Sequence, residues 1–540
     1  LDPATVTIAS GTASGSLPPD GSLTPLVNST VQDGDINFAL NTGTSVTIAT
    51  TLPNANSFGG DINFNQGVVI NVDKGSAPVS FNLEASRDIN GGFGTVIRST
   101  AAPLNVSFTA GKNSNSGTID YNGGQIITNG GSLTMTATGN GFGPCAICMG
   151  NTQISTLGGA ADGSVRLSVP APGTNVPFGG FTTAAIALDS TDITAGRGNV
   201  DITGFAQNGT GVRVGGTLLS VEGGLGIIST TTGNINITGV GAFSSNSSDG
   251  SGHGVVIDNA RVTSVNGNVA VRGLRQVSGE ESGPPPGNGV LLQNGAQVTT
   301  TGTGDIEVTG ETQGSGAGLV LMGSNGDGGP SSIIDGNRHV VLRAANDRSS
   351  DAIVLNGTVR AGQVLDLRPG GVNAATGAGE DRTAEPIYLM GNPTLVPSIF
   401  TDSVLLAPAL SSGSDPGGFW ISTDEMSRLT AAAIVAGGST HAADIHVLAP
   451  LASGVPVTLQ NNAGGNIDLG APVSAPTLGL ISGGNITQAA GASITAGTLL
   501  AQSFGGNVIL SDPGNKVSAD TLGGGAAGRF EFVNSGPLKI

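Results

Sequence analysis

Cys145-Ala146-Ile147-Cys148 holds the side chains best suited to chemistry in this 540-residue chain, and its two cysteines are the only ones present. A C-x-x-C pair can cycle between thiol and disulfide, donate two thiolates to zinc, or close as a local disulfide. Zinc would need two more ligands, and His253, His339, His441 and His446 all lie far from the pair along the chain. The surrounding stretch, Gly139 to Gly150, reads as a Gly-rich turn. The favoured reading is a disulfide between Cys145 and Cys148 pinning a protruding loop in an oxidising compartment. A second candidate is His441-x-x-Asp444-x-His446. On a strand, Asp444 and His446 share a face while His441 points the other way, so the pattern reads as a solvated strand edge rather than a metal site. Ser324 to Gly329 resembles a calcium loop only loosely. It lacks the spaced ligands and closing Glu of an EF-hand and reads as a flexible turn.

Paired carboxylates are the third possibility, because sugar hydrolysis needs two of them in a groove. Glu280, Glu281, Asp351, Asp366, Glu380 and Asp381 qualify by type alone. A groove for sugars also carries aromatic platforms, and the chain has one tryptophan, Trp420, and two tyrosines, Tyr121 and Tyr388. Trp420 reads as packing the helix that follows it onto the scaffold. No catalytic, cofactor-binding or metal-ligating residue is therefore assigned, and the chain reads as non-enzymatic. A polysaccharide-acting enzyme is the second alternative.

The elements that must position these residues are announced by a repeated phrase, Gly-Asn/Asp-hydrophobic-x-hydrophobic. It occurs as GDINF at Gly34 and Gly60, GNVDI at Gly198, GNINI at Gly233, GNVAV at Gly267 and GDIEV at Gly304. It returns as GNIDL at Gly465, GNITQ at Gly484 and GNVIL at Gly506. Each copy is a turn signal followed by a short alternating strand, and chains of such units form solenoids. Further strands are expected at Val6–Ile8, Ser45–Ile48, Gly67–Val72 and Leu133–Thr136. Between 200 and 345 a larger repeat opens with Gly-x-Gly-Val/Leu at Gly209, Gly252, Gly287 and Gly316, and continues through Leu218–Val221, Val262–Ser264 and Val298–Thr300. Its insertions, Ser244–Gly250 and Gly279–Pro286, read as side loops. Arg382–Pro397 and Ser411–Gly418 look like longer excursions. Ser422 to Ala433 is the best helix candidate, with Ser422 and Glu425 forming a capping box. From Gly465 onward the period tightens to about 20 residues, the size of one β-helix rung. The expectation is an all-β parallel β-helix with loop insertions and one short helix. It divides into residues 1–345 with protruding loops, 346–445 with insertions and a short helix near 422–433, and 446–540 with regular rungs. Extended over the chain, the tight period gives about 25 rungs and a rod on the order of 100 Å, with axial ladders of aligned Asn side chains.

Composition narrows the partners. The net charge is −18, the pI is near 4.4, and the 20 Lys and Arg residues form no cluster, which argues against nucleic acid. No run of about 18 apolar residues marks a transmembrane segment. Leu1-Asp2-Pro3 does not begin a signal peptide, so the chain reads as a mature product or a fragment.

Three segments carry a family resemblance. They are Leu1-Asp2-Pro3-Ala4-Thr5-Val6-Thr7-Ile8, the box Ile421-Ser422-Thr423-Asp424-Glu425-Met426-Ser427-Arg428-Leu429-Thr430-Ala431, and GVLLQNGAQVTTTGTGDIEVTG from Gly289 to Gly310. Together they resemble the filamentous-haemagglutinin-like large exoproteins of Gram-negative bacteria, adhesins exported by two-partner secretion. The resemblance implies a right-handed parallel β-helix passed through an outer-membrane two-partner-secretion transporter. It also implies an extracellular or outer-cell-surface location, and a role in attachment, aggregation or biofilm formation through a host or neighbouring-cell receptor or glycan. The family's N-terminal secretion domain is absent from the sequence and is expected upstream of Leu1. The loops at Gly139–Gly150, Ser244–Gly250 and Gly279–Pro286 are the expected contact points. Glycosylation occurs in the family, and Asn28, Asn105, Asn208, Asn236, Asn246, Asn356 and Asn485 lie in sequons. An alternative reading comes from the ends. Phe530–Val533 and Leu538–Ile540 are strand-like, and neither end shows an obvious polar cap, so subunits stacking end to end into an extracellular filament or matrix is the first alternative.

Overall fold

Alternation is the local rule. Val79–Ala85 and Leu104–Ala110 turn every second side chain inward, and Ser, Asn, Thr or Glu fill the outward positions. Period two is the signature of a strand with one dry face. The computed structural model describes residues 5–24, 27–51, 59–112, 116–139, 144–159, 161–171, 184–216, 225–243, 252–277, 287–314, 316–324, 330–347, 352–373, 377–389, 419–518 and 522–537. Outside them lie Leu1–Ala4, residues 140–143, Leu218–Val221, Ser244–Gly250, Gly279–Pro286 with Glu280 and Glu281, Asn325–Gly329, Asp351, residues 390–418 and Leu538–Ile540.

The strands form a parallel β-helix in two compact units. Unit 1 is Leu1–Val271 with Gln276–Pro285 and Gly295–Gly304, and unit 2 is Arg272–Arg275, Pro286–Asn294 and Asp305–Ile540. In unit 1 the chain climbs through three columns of strands. One rung runs Ile119–Tyr121, Gln125–Ile127, Leu133–Ala137, and the next runs Cys145–Gly150, Gln153–Ser155, Val165–Val169, each strand pairing in parallel with its counterpart. In the third column Val106, Leu133, Val165, Val200 and Ile235 stack in register, at most 1% exposed. Each such side chain contributes about 1.5–3 kcal/mol by leaving water. Every step of this column, from Val106 to Leu133 through to Val200 to Ile235, is longer than the step from Ile467 to Ile486 near the C-terminus. The tight period therefore does not extend to unit 1. The C-terminal coils are shorter because two of their columns run close together, as in Val473–Ser482, which pairs with both Leu451–Ala452 and Val457–Asn461.

Corners explain the repeated phrase. A Cβ added to Gly163, Gly198, Gly233 or Gly267 would lie 1.9, 2.0, 1.8 or 1.9 Å from the carbonyl oxygen of Gly131, Gly163, Gly198 or Gly233, one rung earlier. Only glycine tolerates that approach. The next residue builds a ladder. Asn234 N donates to Asn199 Oδ1 at 2.9 Å, Asn268 N to Asn234 Oδ1 at 2.9 Å, and Asn199 N to Ser164 Oγ at 3.2 Å. Each side chain satisfies a corner N–H that the strand ladder leaves over. The copies do not share one column. GDINF at Gly60 opens a strand of the first column, those at Gly198 and Gly233 open third-column strands, and those from Gly465 onward serve a separate sheet of unit 2.

One copy is not a strand at all. Asp33–Asn41, containing Gly34-Asp35-Ile36-Asn37-Phe38, is helix α1, whereas the identical pentapeptide at Gly60 yields the strand Ile62–Phe64. The flanks decide. After the first copy Ala39-Leu40-Asn41 extends a helical pattern that buries Ile36 and Leu40, while after the second Asn65-Gln66-Gly67 stops the strand. Asp33, Asn37 and Asn41 then face the free edge of Val69–Val72. Val69 N donates to Asp33 Oδ2 (3.1 Å), Asn37 Nδ2 to Val69 O (2.9 Å), Asn71 N to Asn37 Oδ1 (2.7 Å), Asn41 Nδ2 to Asn71 O (2.8 Å) and Asp73 N to Asn41 Oδ1 (2.9 Å). Four helical residues advance about 6.0 Å and two strand residues about 6.6 Å, so the spacings match. At this edge the expectation of no polar cap is corrected. Asn37→Ala with Asn41→Ala is expected to expose the Asn71 and Asp73 amides. Hydrogen exchange there should accelerate by about tenfold or more, since an orphaned backbone group costs roughly 1–3 kcal/mol; unchanged rates would refute the cap.

Unit 2 keeps the three-column coil, and near the C-terminus two columns merge into long strands such as Val473–Ser482 and Ile494–Ser503. Its seven-stranded sheet runs Phe419–Ile421, Ile387–Leu389, Ile445–Val447, Ile467–Leu469, Ile486–Gln488, Val508–Leu510, Phe530–Phe532. Ile445, Ile467, Ile486, Val508 and Phe530 pair one after the next along it, at nearly even spacing in the chain. Phe419–Ile421 pairs with the far edge of Ile387–Leu389, so chain order and sheet order are exchanged here. Helix α2 is only Thr423–Met426, and with α1 it makes two helices among the described residues, not one. Ser422 and Glu425 form the expected capping box. Leu429–Gly438, however, is a strand, because pairing with Thr358–Val372 and Val457–Asn461 overrides the helix propensity of its alanines. Glu425 Oε1 accepts from Leu355 N at 2.8 Å and Arg428 Nη1 donates to Leu355 O at 3.2 Å. The Ser-x-x-Glu-x-x-Arg box thus clamps the backbone of a neighbouring strand.

Candidate functional site

Cys145 and Cys148 are joined, with sulfurs 1.99 Å and Cα atoms 5.5 Å apart. Extended strand would hold such Cα atoms about 10 Å apart, so the chain is contracted between them. The pair is not on a protruding loop. Cys145–Gly150 is buried along its whole length, between Ile119–Tyr121 and Ala184–Asp189, and Cys145, Cys148, Ala184 and Ala187 form one apolar cluster. Small side chains at 184 and 187 make the room the bridge needs.

Of the carboxylates proposed from sequence, Asp366 and Asp381 are engaged by arginines in unit 2. The antiparallel hairpin Gly370–Val372 with Gly379–Asp381 carries Asp381 and Arg382 beside the outward residues of Ile306–Thr312 and Val340–Asn346. Glu307 meets Arg272 and Arg343, each at 3.0 Å; Asp381 meets Arg343 at 2.8 Å and Arg368 at 3.3 Å; Arg368 also binds Asp366. Glu380 accepts from Asn373 Nδ2 at 2.7 Å. Beside this chain of charges Arg382 binds three more carboxylates, Glu311, Asp347 at 2.6 Å and Glu385 at 3.2 Å.

Glu385 titrates near neutrality. Burial pushes its carboxyl up to about 7, helped by Asp347 and Glu311 and opposed by Arg382. A raised carboxyl stabilises the fold fully below its unfolded value near 4.5, and that stability is lost as pH rises through about 7. Glu385→Gln is therefore expected to gain stability on the native chain between pH 5 and pH 8. Urea midpoints read on unit 2 check this, and a difference independent of pH would contradict it. His441 runs the other way, pushed down to about 4 by burial while Asp381 and Asp444 oppose the shift.

His446 is not on a solvated edge. It is 7% exposed, its ring stacks on Tyr388 at 5.2 Å, and Tyr388 stacks on Trp420 at 4.0 Å. Trp420 thus packs against the ring of the adjoining strand. Asp468, the pairing partner of His446 one rung on, places Oδ2 at 3.3 Å from His446 Nδ1 and accepts from Thr487 at 2.5 Å. Burial pushes the Asp468 carboxyl up, but these two hydrogen bonds outweigh it and hold it low. Asp444 joins the group, and the ligand atoms of Asp444, His446 and Asp468 lie within 4.8 Å of one another. His441, which precedes the strand Ile445–Val447, offers no ligand atom to this group. Asp468 was invisible to the sequence reading because it belongs to the next rung, and no motif joins it to His446.

A shallow apolar cleft of about 180 Å³ opens in unit 2 between Met426, Leu429 and Ile434 on one side and Leu451, Val455 and Val457 on the other. Among the described residues no helix is long and apolar enough to cross a membrane. No protein-family model matches the chain, and no curated protein matches it significantly.

Proposed function

We propose that the chain is a non-enzymatic, extracellular β-helical adhesin, a rigid ladder that presents surface segments to a host or neighbouring-cell receptor or glycan. The observation that supports this most is where extra chain is admitted in unit 1. Between a third-column strand and the first-column strand of the next rung the chain runs from Ala110 to Ile119, Ala137 to Cys145, Val169 to Ala184 and Phe243 to Val255. This corner thus takes connections of unequal length from rung to rung, while the link from Gly215 to Gly226 joins the first and second columns. Variable segments on a rigid support are the usual arrangement of a recognition surface. The closed Cys145–Cys148 bridge fits an oxidising location, and the arginine partners of Asp366 and Asp381 suit structural roles better than acid–base ones. Retention of the purified chain on washed cells tests the reading. Saturable binding above that of a control protein is expected. No binding, or release of sugar products from a glycan panel, would overturn it.

A further inference from the structure

We propose that Asp444, His446 and Asp468 bind one divalent transition-metal ion of the zinc class, clamping two successive rungs of unit 2. The rung repeat assembles the site: Asp444 and His446 share the outward face of one rung, and Asp468 pairs with His446 on the next. All three ligand atoms lie within 4.8 Å of one another. The contact between His446 Nδ1 and Asp468 Oδ2, 3.3 Å, is long for a charge-assisted hydrogen bond, which closes to about 2.7–2.9 Å. It is the edge of a tetrahedron whose metal–ligand bonds are about 2.0–2.1 Å.

Charge supports the same assignment. Elsewhere in unit 2 Glu307, Glu311, Asp347, Asp366 and Asp381 each face an arginine. Among the described residues Asp444 and Asp468 have no Lys or Arg ion-pair partner. Two carboxylates and an imidazole leave a local negative charge that a dication neutralises. The ligands are also held in place. Asp444 Oδ1 accepts from Asn466 N at 2.6 Å and Asn466 Nδ2 at 3.2 Å, Asp468 Oδ1 accepts from Thr487, and the His446 ring is stacked on Tyr388. Fixing carboxylates and imidazole from behind is what outer partners do at metal centres. An imidazole nitrogen with two carboxylates suits zinc and its neighbours, whereas calcium and magnesium take oxygen cages. Asp444 and Asp468 remain partly exposed, which leaves a side open for water to complete four-coordination.

The test is equilibrium dialysis of the chelator-stripped full chain against zinc, with bound metal measured by elemental analysis. One zinc per chain is expected, undisturbed by excess calcium or magnesium. His446→Asn and Asp468→Asn should each weaken it at least about tenfold, with His339→Ala unchanged and circular dichroism confirming that each variant keeps its strands. Cobalt loaded into the native chain should show tetrahedral absorption, a readout that needs no variant. No zinc above the level of His446→Asn, equal preference for calcium, or cobalt without tetrahedral absorption would each overturn the site and leave an ordinary His–Asp pair.

Discussion

Replacing Gly233 by alanine is expected to unfold the middle rungs of unit 1 under conditions where the native chain stays folded. The new Cβ would stand 1.8 Å from the Gly198 carbonyl oxygen. The atoms that the new Cβ meets, Gly198 O and C and Arg197 O, are all backbone, which cannot rotate aside as a side chain can. Relief requires the two rungs to part, and that lengthens the Asn199–Asn234–Asn268 ladder and opens the stack of Val200 on Ile235. Overpacking a well-filled site costs about 1–3 kcal/mol and occasionally more; a backbone clash belongs at the upper end. Solenoid rungs hold each other by neighbour contacts, so protection should be lost first in Val200–Phe205 and Ile235–Phe243. Gly159→Ala, where an added Cβ meets nothing within 4 Å, is the control and should stay within about 0.5 kcal/mol of native stability. Hydrogen exchange in rising urea separates the two. Equal behaviour would mean that the glycine column is not a packing requirement.

Arg382→Met is expected to destabilise unit 2 by about 2–3 kcal/mol near neutral pH, below the roughly 3–5 kcal/mol for breaking a fully buried pair because Arg382 is partly exposed. The substitution keeps most of the side chain's bulk but leaves Glu311, Asp347 and Glu385 without their shared guanidinium. Glu311 is 5% exposed and burial already pushes its carboxyl up. Without Arg382 it and Glu385 should rise further and take up protons as pH falls. The loss should therefore be larger at pH 8 than at pH 5, as read from urea midpoints. Equal losses at both would mean that Arg382 acts through packing alone.

Much of the coil was legible in the sequence because its requirements are local. Val79–Ala85 alternates visibly, and the glycine column announces itself as Gly-Asn/Asp before each strand. Contacts along the stack were hidden. Rung steps vary, as the short one from Ile467 to Ile486 and the long one from Val165 to Val200 illustrate. Neighbours such as His446 and Asp468, or Glu311 and Arg382, therefore have no fixed spacing to betray them. GDINF shows the same limit. Its five residues suit either conformation, and the flanks together with the open edge of Val69–Val72 select a helix for one copy and a strand for the other. The helix expected over 422–433 shortened because the strand that captures its second half, Thr358–Val372, comes from far upstream in the chain. Cys145–Cys148 was recognisable as a pair, but its burial depends on Ala184 and Ala187 in the next rung.

The most direct test of the adhesin reading is attachment after the corner is cleared. Residues 172–183 and 244–251 would each be replaced by a short Gly-Ser link, with circular dichroism confirming that the strands persist. Loss of cell binding by this variant, with binding kept when 217–224 at the other corner is replaced instead, is the predicted result. Undiminished binding by the cleared variant would contradict it and move the search for the contact surface to the faces of the ladder.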